Sequence, residues 1–370
     1  MVSYINVFID EYADKIVRFP SIVHGINDSA IQKRINVRTF FSVDDLVKTL
    51  TKEKRRVVIV ISGSINHSEK LLLTLHRQKI HPIFFNLQVL NTSCPFSSVM
   101  PNMFSSFYKL TQTILLEWPE PSAFVGFNKD STEDKIRLEA FKKAVEEQGV
   151  KEYVFSNDGD VDKCINHTIS ELPRLKNIFC TSDSVALLLM KKMKDKGIKP
   201  VDYNITGFAN LKLSKHFKPS LTTIGENYYG VGVMAVEVFV FLYKRKQIHN
   251  LNLSMDYEII FRESTHLGIK KEKEDKTLPT EVAPGEMVDF FGDEPINKIY
   301  NIENMLMKCD NKDFGILRDL LANKTYEEIA ENHELVVNAV KYRLNKIENY
   351  LKVANRKELC ACLNAYDLDI

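Results

Sequence analysis

Polar side chains that directly follow apolar runs are the residues of this chain whose types and spacing suit binding of a small molecule. Asp10 follows "INVFI", Ser62 and Ser64 follow "VVIVI", and Asp183 stands three residues after "IFC". Ligands of open parallel sheets bind beyond the carboxyl ends of the strands, where loops and helix N-termini present unpaired groups. A carboxylate there would accept two sugar hydroxyls. The alternative is that these residues only cap the following helices, and Asp183 is able to do both.

A second group of residues, near the C-terminus, suits contact with phosphates and base edges. Apolar residues at steps of three and four in "VVNAVKYRLNKIENYL" predict an amphipathic helix. The other face of this helix carries donors and an aromatic ring, and basic residues continue beyond it: Asn338, Lys341, Tyr342, Arg343, Asn345, Lys346, Lys352, Arg356 and Lys357. Between 341 and 357 there are six basic residues against Glu348 alone. This pattern predicts a DNA-reading helix, and the alternative is a solvated amphipathic helix.

The elements that would position the first group alternate in type. From residue 5 to about 260, short apolar runs are followed by segments of helical period, which indicates βαβ units and mostly parallel sheets. "VVIVI" has no polar alternation, as is typical of a strand buried on both faces. The stretch "NTSCPFSSVMPNM" is interpreted as a loop, after which the rhythm restarts. Without a Gly-x-Gly-x-x-Gly after the first strand, two similar α/β halves favour a bilobed ligand-binding domain over a dinucleotide-binding fold.

The remainder of the chain predicts a linker and a small all-α module. Residues 266–295 are charged and contain three prolines, and everything after them is helical in period. Thr325 and Glu328 form a predicted capping box before "YEEIAEN", whereas Val336 has no side-chain oxygen to cap the next helix. We assign 1–268 to a bilobed α/β domain, with the chain crossing between lobes near 90–100 and 220–260. Residues 269–295 are assigned to a linker and 296–370 to the all-α module.

Bulk composition excludes several classes of protein. Fifty basic and 49 acidic residues leave a net charge of +1, so no overall field attracts nucleic acid or a membrane. Six cysteines without paired zinc spacing favour reduced thiols, a cytoplasmic protein and no metal. No apolar run reaches the roughly 18 residues of a membrane span. Since no catalytic elbow, P-loop or metal cluster is present, we predict neither enzymatic activity nor a cofactor.

The order of motifs in the second half resembles a known family. "NIFCTSDSVALLLMKKMKDKGIKP", "YNITGF", "KPSLTTI" and "EIIFREST" have the order and spacing of the effector-binding core of the lactose/galactose repressor family, which residues 1–268 resemble. The resemblance implies a periplasmic-binding-protein-like fold whose two parallel-sheet lobes close on a small ligand. It also implies that Arg137, in "KIRLEAF", contacts the ligand, unless it is a solvated helix-face arginine. Arg262 is expected in the interlobe region, as a structural or a ligand-binding residue.

One departure from that family bears on the ligand. The family has "GFDD" where this chain has "GFAN", so Ala209 replaces one acidic residue and Asn210 offers an amide in place of the other. This difference favours a less hydroxylated or an anionic effector over a typical neutral sugar.

The C-terminal module resembles a different family. Its four-helix pattern over 311–366 is similar to the DNA-binding domain of LuxR/NarL-type regulators, whose "EIA…TVK…L" appears here as "EIA…AVK…L". Val336 and Ala339 replace the usual Ser and Thr of that motif. Repressors of the first family place their DNA-reading domain ahead of the effector core, and here the core begins at residue 5. DNA binding is therefore expected of the C-terminal helix-turn-helix.

Together these patterns predict a transcriptional regulator. A small metabolite, a sugar or a related molecule, would bind in the cleft and control DNA binding by the C-terminal modules of a homodimer. The alternative is a ligand-sensing or dimerisation scaffold whose C-terminal helices contact protein.

Overall fold

The computed structural model describes residues 2–10, 19–62, 65–85, 93–225, 227–245, 250–267 and 294–368. The strands, in chain order, are β1 (Tyr4–Ile9), β2 (Asn36–Phe40), β3 (Val57–Ile61), β4 (His81–Phe85), β5 (Ser97–Pro101), β6 (Ser122–Phe127), β7 (Glu152–Ser156), β8 (Asn177–Cys180), β9 (Asn204–Phe208), β10 (Thr222–Gly225), β11 (Asn252–Met255) and β12 (Glu258–Ile260). The helices are α1 (Phe19–Gln32), α2 (Val43–Leu50), α3 (Ile65–Arg77), α4 (Met103–Glu117), α5 (Thr132–Gln148), α6 (Val161–Glu171), α7 (Asp183–Asp195), α8 (Lys212–His216), α9 (Tyr228–Lys244), α10 (Glu294–Lys308), α11 (Asn311–Leu321), α12 (Tyr326–Asn332), α13 (Val337–Leu351) and α14 (Arg356–Asn364).

The chain divides into two compact units, each built on one sheet. Unit 1 contains β1–β5 and β11 with α1–α3 and α9. Its strands are ordered β11-β5-β4-β3-β1-β2 and every pair is parallel. The fully buried β3, "VVIVI", lies in the interior of this sheet, which explains why its sequence has no polar alternation.

Helices α1 and α9 cover unit 1 and pack closely on each other. A Cβ added at Gly25 of α1 would lie 2.1 Å from the carbonyl oxygen of Tyr229, and one at Gly232 of α9 would lie 2.2 Å from that of Ile22. Only glycine permits this approach of the two backbones. The pair shares a hydrophobic cluster with the strands beneath it, so α9, which lies far along the chain, closes the core of unit 1.

The interpretation of "NTSCPFSSVMPNM" as a loop was wrong in part, because residues 97–101 form β5 between β4 and β11. The serines of this strand hid its buried position. Ser97 is fully buried and its Oγ contacts His81 Nε2 at 2.9 Å, while Ser98 donates to Asn252 Oδ1 at 2.9 Å. Lateral hydrogen bonds to neighbouring strands thus satisfy polar side chains that composition alone assigns to a surface loop.

Unit 2 repeats the strand order of unit 1. Its sheet is ordered β12-β10-β9-β8-β6-β7, parallel except for the edge strand β12, which is antiparallel to β10. In both sheets the strand order reverses after the first strand, between β1 and β3 and between β6 and β8. Loops that leave the carboxyl ends of strands beside such a reversal diverge and leave room for a ligand. The predicted parallel-sheet lobes are confirmed.

The C-terminal helices α10–α14 belong to unit 2. Helix α10 packs against α7, α8 and α13, and its apolar residues Ile296, Ile299 and Leu306 join the same buried cluster as Leu187 and Met193 of α7. The all-α region predicted after residue 296 is therefore present. The predicted linker lies outside the described residues except for its last two positions, which begin α10.

Helices α11–α14 match the predicted pattern. Thr325 and Glu328 form the expected capping box of α12, and α13 begins at Val337 after a short turn. As predicted, Val336 at the N-cap of α13 makes no side-chain hydrogen bond. In the part of the chain that the structure describes, no helix combines the length and apolarity that crossing a membrane requires.

Candidate functional site

Arg137, on α5 directly after β6, is the most enclosed charged donor at the carboxyl edge of the unit 2 sheet. Its side chain is 7% exposed, and Nη2 donates to Asp134 Oδ1 at 2.5 Å. The guanidinium lies 4.6 Å from the ring centroid of Phe208, at the end of β9. Among the described residues, its buried Nε–H has no hydrogen-bond acceptor. A buried N–H without an acceptor is costly, so this group is suited to donate to a ligand.

Asp134 holds Arg137 in place. Its carboxylate is 1% exposed, and Oδ2 accepts the backbone N–H of Asn128, at the end of β6, at 2.9 Å. Burial raises the pKa of Asp134, and the neighbouring Arg137 opposes that rise. Sequence reasoning missed Asp134, although its place three residues before Arg137 on one helix face is the signal for such a pair.

Asp183, the first residue of α7, is fully buried. Its Oδ2 accepts the N–H of Leu211 at 2.7 Å and the hydroxyl of Ser214 at 2.6 Å, and Oδ1 accepts the hydroxyl of Thr223 at 2.5 Å. Burial raises its pKa, and these donors lower it. The N-cap of α7 is Ser182 rather than Asp183. In this structure the carboxylate ties α7 to the segment after β9, and its contact with a ligand stays a prediction.

The segment after β9 contains strained backbone and joins two predicted residues. Ala209 has φ +114° and Asn210 has φ +50°, in a region that side-chain-bearing residues rarely adopt and that recurs at binding sites. Asn210 Oδ1 accepts Nη2 of Arg262 at 2.7 Å. Arg262 is buried, and its Nη1 also donates to the carbonyl of Leu221 at 3.0 Å. The structure thus brings Asn210 and Arg262 together beside Phe208 and the ring-stacked Arg137.

The predicted residues of unit 1 flank the strand reversal of their own sheet. Asp10 follows β1, is 5% exposed, and donates its backbone N–H to the carbonyl of Ile61 at 3.1 Å. Ser62 follows β3 and its Oγ accepts the hydroxyl of Ser68 at 2.9 Å. Ser64 lies outside the described residues. Each unit therefore presents polar side chains at the carboxyl ends of the strands beside its reversal.

Glu303 of α10 is a buried acid that sequence reasoning missed. Its side chain accepts the backbone N–H groups of Lys212 at 2.8 Å and Leu213 at 2.7 Å, and it thereby caps α8, whose own N-cap residue offers no side-chain bond. Burial raises its pKa to about 7, while the two N–H donors lower it. The signal was present, because Glu303 interrupts the apolar stripe between Ile299 and Leu306 at helical spacing.

The predicted DNA-reading face of α13 is only partly open. Five of its residues are exposed: Asn338, Lys341, Tyr342, Asn345 and Lys346. Tyr342 is 72% exposed, a high value for an aromatic ring. Lys352, which ends the helix in a left-handed conformation, and Lys357 on α14 are also exposed. These residues form one polar, basic surface, to which DNA contact is still only predicted.

The two arginines of that set contact the protein itself. Arg343 Nη1 donates to Asp313 Oδ1 at 2.6 Å and to Asp310 Oδ2 at 3.0 Å, which fixes α13 to the N-terminal capping box of α11. Arg356 donates to the carbonyl of Lys324 at 2.6 Å and lies over the ring of Tyr326. Their part in DNA contact stays a prediction, but both already hold the helices together.

Comparison with known proteins agrees with this fold. Residues 122–265 match the family described as a periplasmic binding protein-like domain. The HTH-type transcriptional regulator RegA of Clostridium saccharobutylicum is 24% identical over 263 residues, 67% of this chain and 77% of that protein. The ribose operon repressor of Halalkalibacterium halodurans is 31% identical over 166 residues, 44% of this chain and 50% of its own length. The repressor PurR of Aliivibrio salmonicida is 22% identical over 262 residues, 67% of this chain and 78% of that protein.

Solved structures give the same result. A LacI family transcriptional regulator from Silicibacter pomeroyi aligns with a TM-score of 0.52 at 18% identity, covering 71% of this chain and all of that one. The transcription regulator CcpA of Lactococcus lactis aligns with a TM-score of 0.50 at 20% identity, covering 71% of this chain and 99% of that one. The core thus has the periplasmic-binding-protein-like fold of LacI family regulators. The relatives named above are transcriptional regulators rather than enzymes, and the family match ends at residue 265, before α10.

Proposed function

We propose that this protein is a transcriptional regulator that binds a small metabolite at the carboxyl edges of its α/β sheets and binds DNA, as a homodimer, through helices α11–α14. Similarity to RegA, PurR and the ribose operon repressor supports the regulatory part of the proposal. The C-terminal surface of α13 and α14 supports the DNA-binding part, since its exposed lysines, amides and aromatic ring are groups that contact phosphates and base edges.

One observation carries the proposal: a single short segment joins the candidate ligand edge to the C-terminal helices. Asn210 bonds Arg262 at the edge, and the N–H of the next residue, Leu211, bonds Asp183. The following two N–H groups, of Lys212 and Leu213, bond Glu303 on α10. Because the two buried carboxylates hold consecutive residues, movement of Asn210 is transmitted directly to α10.

Helix α10 then connects that segment to the DNA-facing helix. It packs on α7 and α8 on one side and on α13 on the other. Lys212 adds a second tie, since its Nζ donates to the carbonyl of Leu306 at 2.7 Å, and Ser184 Oγ and Tyr300 Oη lie 3.0 Å apart. A ligand that shifts the 209–214 segment would thus reorient α13 through packed and hydrogen-bonded contacts. The equilibrium between the two arrangements is what the ligand would bias.

The chemistry of the edge indicates the class of effector. Arg137 offers a buried donor beside the flat ring of Phe208, and Asn210 offers an amide. Ala209 supplies no carboxylate, so the edge is richer in donors than in acceptors. We propose a metabolite whose acceptor oxygens, from hydroxyl or carboxylate groups, bond Arg137 while an apolar face contacts Phe208.

The test is binding of the purified protein to DNA from its own promoter region and to random DNA of equal length, measured by fluorescence anisotropy across a salt series with and without a metabolite panel. The proposal predicts a salt-sensitive preference for the promoter that a stabilising metabolite alters. Equal binding to both DNAs, with or without metabolites, would reject it. Self-association without DNA binding would instead favour a dimerisation scaffold.

A further inference from the structure

A second pocket lies in unit 2, away from the carboxyl edge. Its volume is about 710 Å³, within the range of small-molecule sites. The end of α7, the turn before β9 and the segment 215–220 before β10 form its walls. Because these segments precede the strands, the pocket belongs to the amino ends of β9 and β10, whereas Arg137 and Asn210 stand at or after the carboxyl ends.

The lining of this pocket is unevenly charged. Four lysines line it, Lys194, Lys199, Lys215 and Lys218, against two acidic residues. The Glu263 carboxylate is bonded by the backbone N–H of Ser220 at 2.9 Å and by the hydroxyl of Ser220 at 3.1 Å. Its negative charge is thus held by one wall, and the lysines leave the pocket an excess of positive charge.

The other acid comes from the C-terminal tail of the described chain. Asp367 Oδ2 lies 2.7 Å from the ammonium of Lys194, which itself stands 4.7 Å from the ring centroid of Phe217. Leu368 pairs with Phe217 in an antiparallel bridge, and Tyr366 is buried, so the tail is seated at the pocket rim. A carboxylate of the chain therefore already occupies one lysine, as an anionic ligand would.

We propose that this pocket binds a phosphorylated small molecule, a phosphate ester, that competes with Asp367 for Lys194. Lysine ammonium groups are compact point charges that suit phosphate, and no arginine fork lines the described walls to favour planar carboxylate recognition. Ile198, Val201 and Pro219 supply apolar contact for the organic part, and Val201 is 47% exposed. Such a ligand would release the tail that follows α14, so the site would act on the C-terminal helices independently of the carboxyl-edge ligand.

The experiment is isothermal titration calorimetry of the full chain with phenyl phosphate at constant ionic strength. Saturable binding is expected, weakened about tenfold or more in the Lys215→Gln, Lys218→Gln double variant, which removes two charge-assisted contacts. Asp367→Asn is expected to tighten binding roughly two- to fivefold, because an exposed ion pair is a weak competitor. Both lysines are exposed in the structure, so the double variant should fold normally.

The matched control is Lys142→Gln with Lys163→Gln, which makes the same change of charge at exposed positions of unit 2 outside the pocket. Binding should persist in it unchanged. The proposal is overturned if the wild-type chain shows no saturable binding. It is also overturned if the pocket variant binds as well as the control, which would include binding at Arg137 instead.

Discussion

At the scale of single residues, Glu303 should make the stability of unit 2 depend on pH near neutrality. Its pKa is raised from 4.5 to about 7 by burial, so the folded state holds the proton more tightly than the unfolded chain does. The resulting stabilisation is complete below pH 4.5 and is lost as pH rises through 7. The size of the effect is on the order of 3 kcal/mol in the free energy of unfolding. Urea unfolding followed by fluorescence of the single tryptophan, Trp118, which lies in unit 2, measures it.

The Glu303→Gln variant should remove the fall in stability with rising pH, since an amide does not titrate. Glu294→Gln is its control, because Glu294 lies on the same helix but is exposed, and its contact with Lys298 keeps its pKa below the usual value. That control should retain the wild-type pH profile between 4.5 and 7. Parallel profiles for wild type and Glu303→Gln would show that Glu303 is not the titrating group.

Two of the predicted ligand residues should respond differently to substitution. Asp183→Ala leaves three buried donors without an acceptor, so we expect a loss of roughly 2–5 kcal/mol in stability whether or not a ligand binds. Arg137→Lys keeps a cation beside Asp134 but loses the Nε–H and the planar fork. It should therefore abolish the thermal shift produced by an effector while leaving the melting temperature of the free protein nearly unchanged. A retained shift in Arg137→Lys would remove Arg137 from the ligand site.

At the scale of elements, the N-terminus of α13 offers a stabilising change. Val336 occupies the N-cap in an extended conformation, φ −83° and ψ 149°, without a side-chain bond, and it is 70% exposed. Serine at that position would accept an N–H of the first turn without loss of core packing. Val336→Ser should raise the free energy of unfolding by about 0.5–1 kcal/mol, measured by urea unfolding.

Val336→Ala separates the cap from the removal of an exposed apolar side chain, since alanine removes the valine methyl groups without adding an oxygen. It should be no more stable than wild type. Thr325→Ala provides the opposite comparison, because it breaks an existing capping box and should lose about 1 kcal/mol. If serine and alanine at 336 gave equal stability, the missing cap would not limit α13.

The elements themselves were largely predictable, because each depends on a local pattern. Buried parallel strands such as "VVIVI" and the capped helix after Thr325 follow from periodicity and from side-chain oxygens next in sequence. The strand Ser97–Pro101 was missed because its serines are satisfied by partners far along the chain. Asp183 and Arg343 were correctly singled out as polar residues at special places, but the groups they contact lie 28 or more positions away and are visible only in three dimensions.

At the scale of the whole molecule, the position of α10–α14 changes how a signal would travel. These helices share one hydrophobic cluster with the core of unit 2, and buried Glu303 bonds them to the segment after β9. A change in unit 2 therefore reaches α13 through a packed core, in which interdigitated side chains transmit displacements. Sequence reasoning had assigned this transmission to a linker, because a proline-containing charged stretch precedes α10, and continuity of cores is not readable from local composition.

The same scale sets the electrostatics of DNA binding. Lys341, Lys346, Lys352 and Lys357 are exposed, whereas Arg343 is paired with two aspartates. With one phosphate per exposed lysine, log K should fall with log salt at a slope of about −3.6 per module, and about −7 for a dimer. Fluorescence anisotropy over a salt series measures this slope. Lys341→Gln and Lys346→Gln should each reduce its magnitude by about 1 per chain, and Lys163→Gln, on α6, should leave it unchanged. Arg343→Gln should lower the melting temperature without changing the slope, because its charge is already neutralised within the protein; a smaller slope in that variant would place Arg343 on the DNA instead.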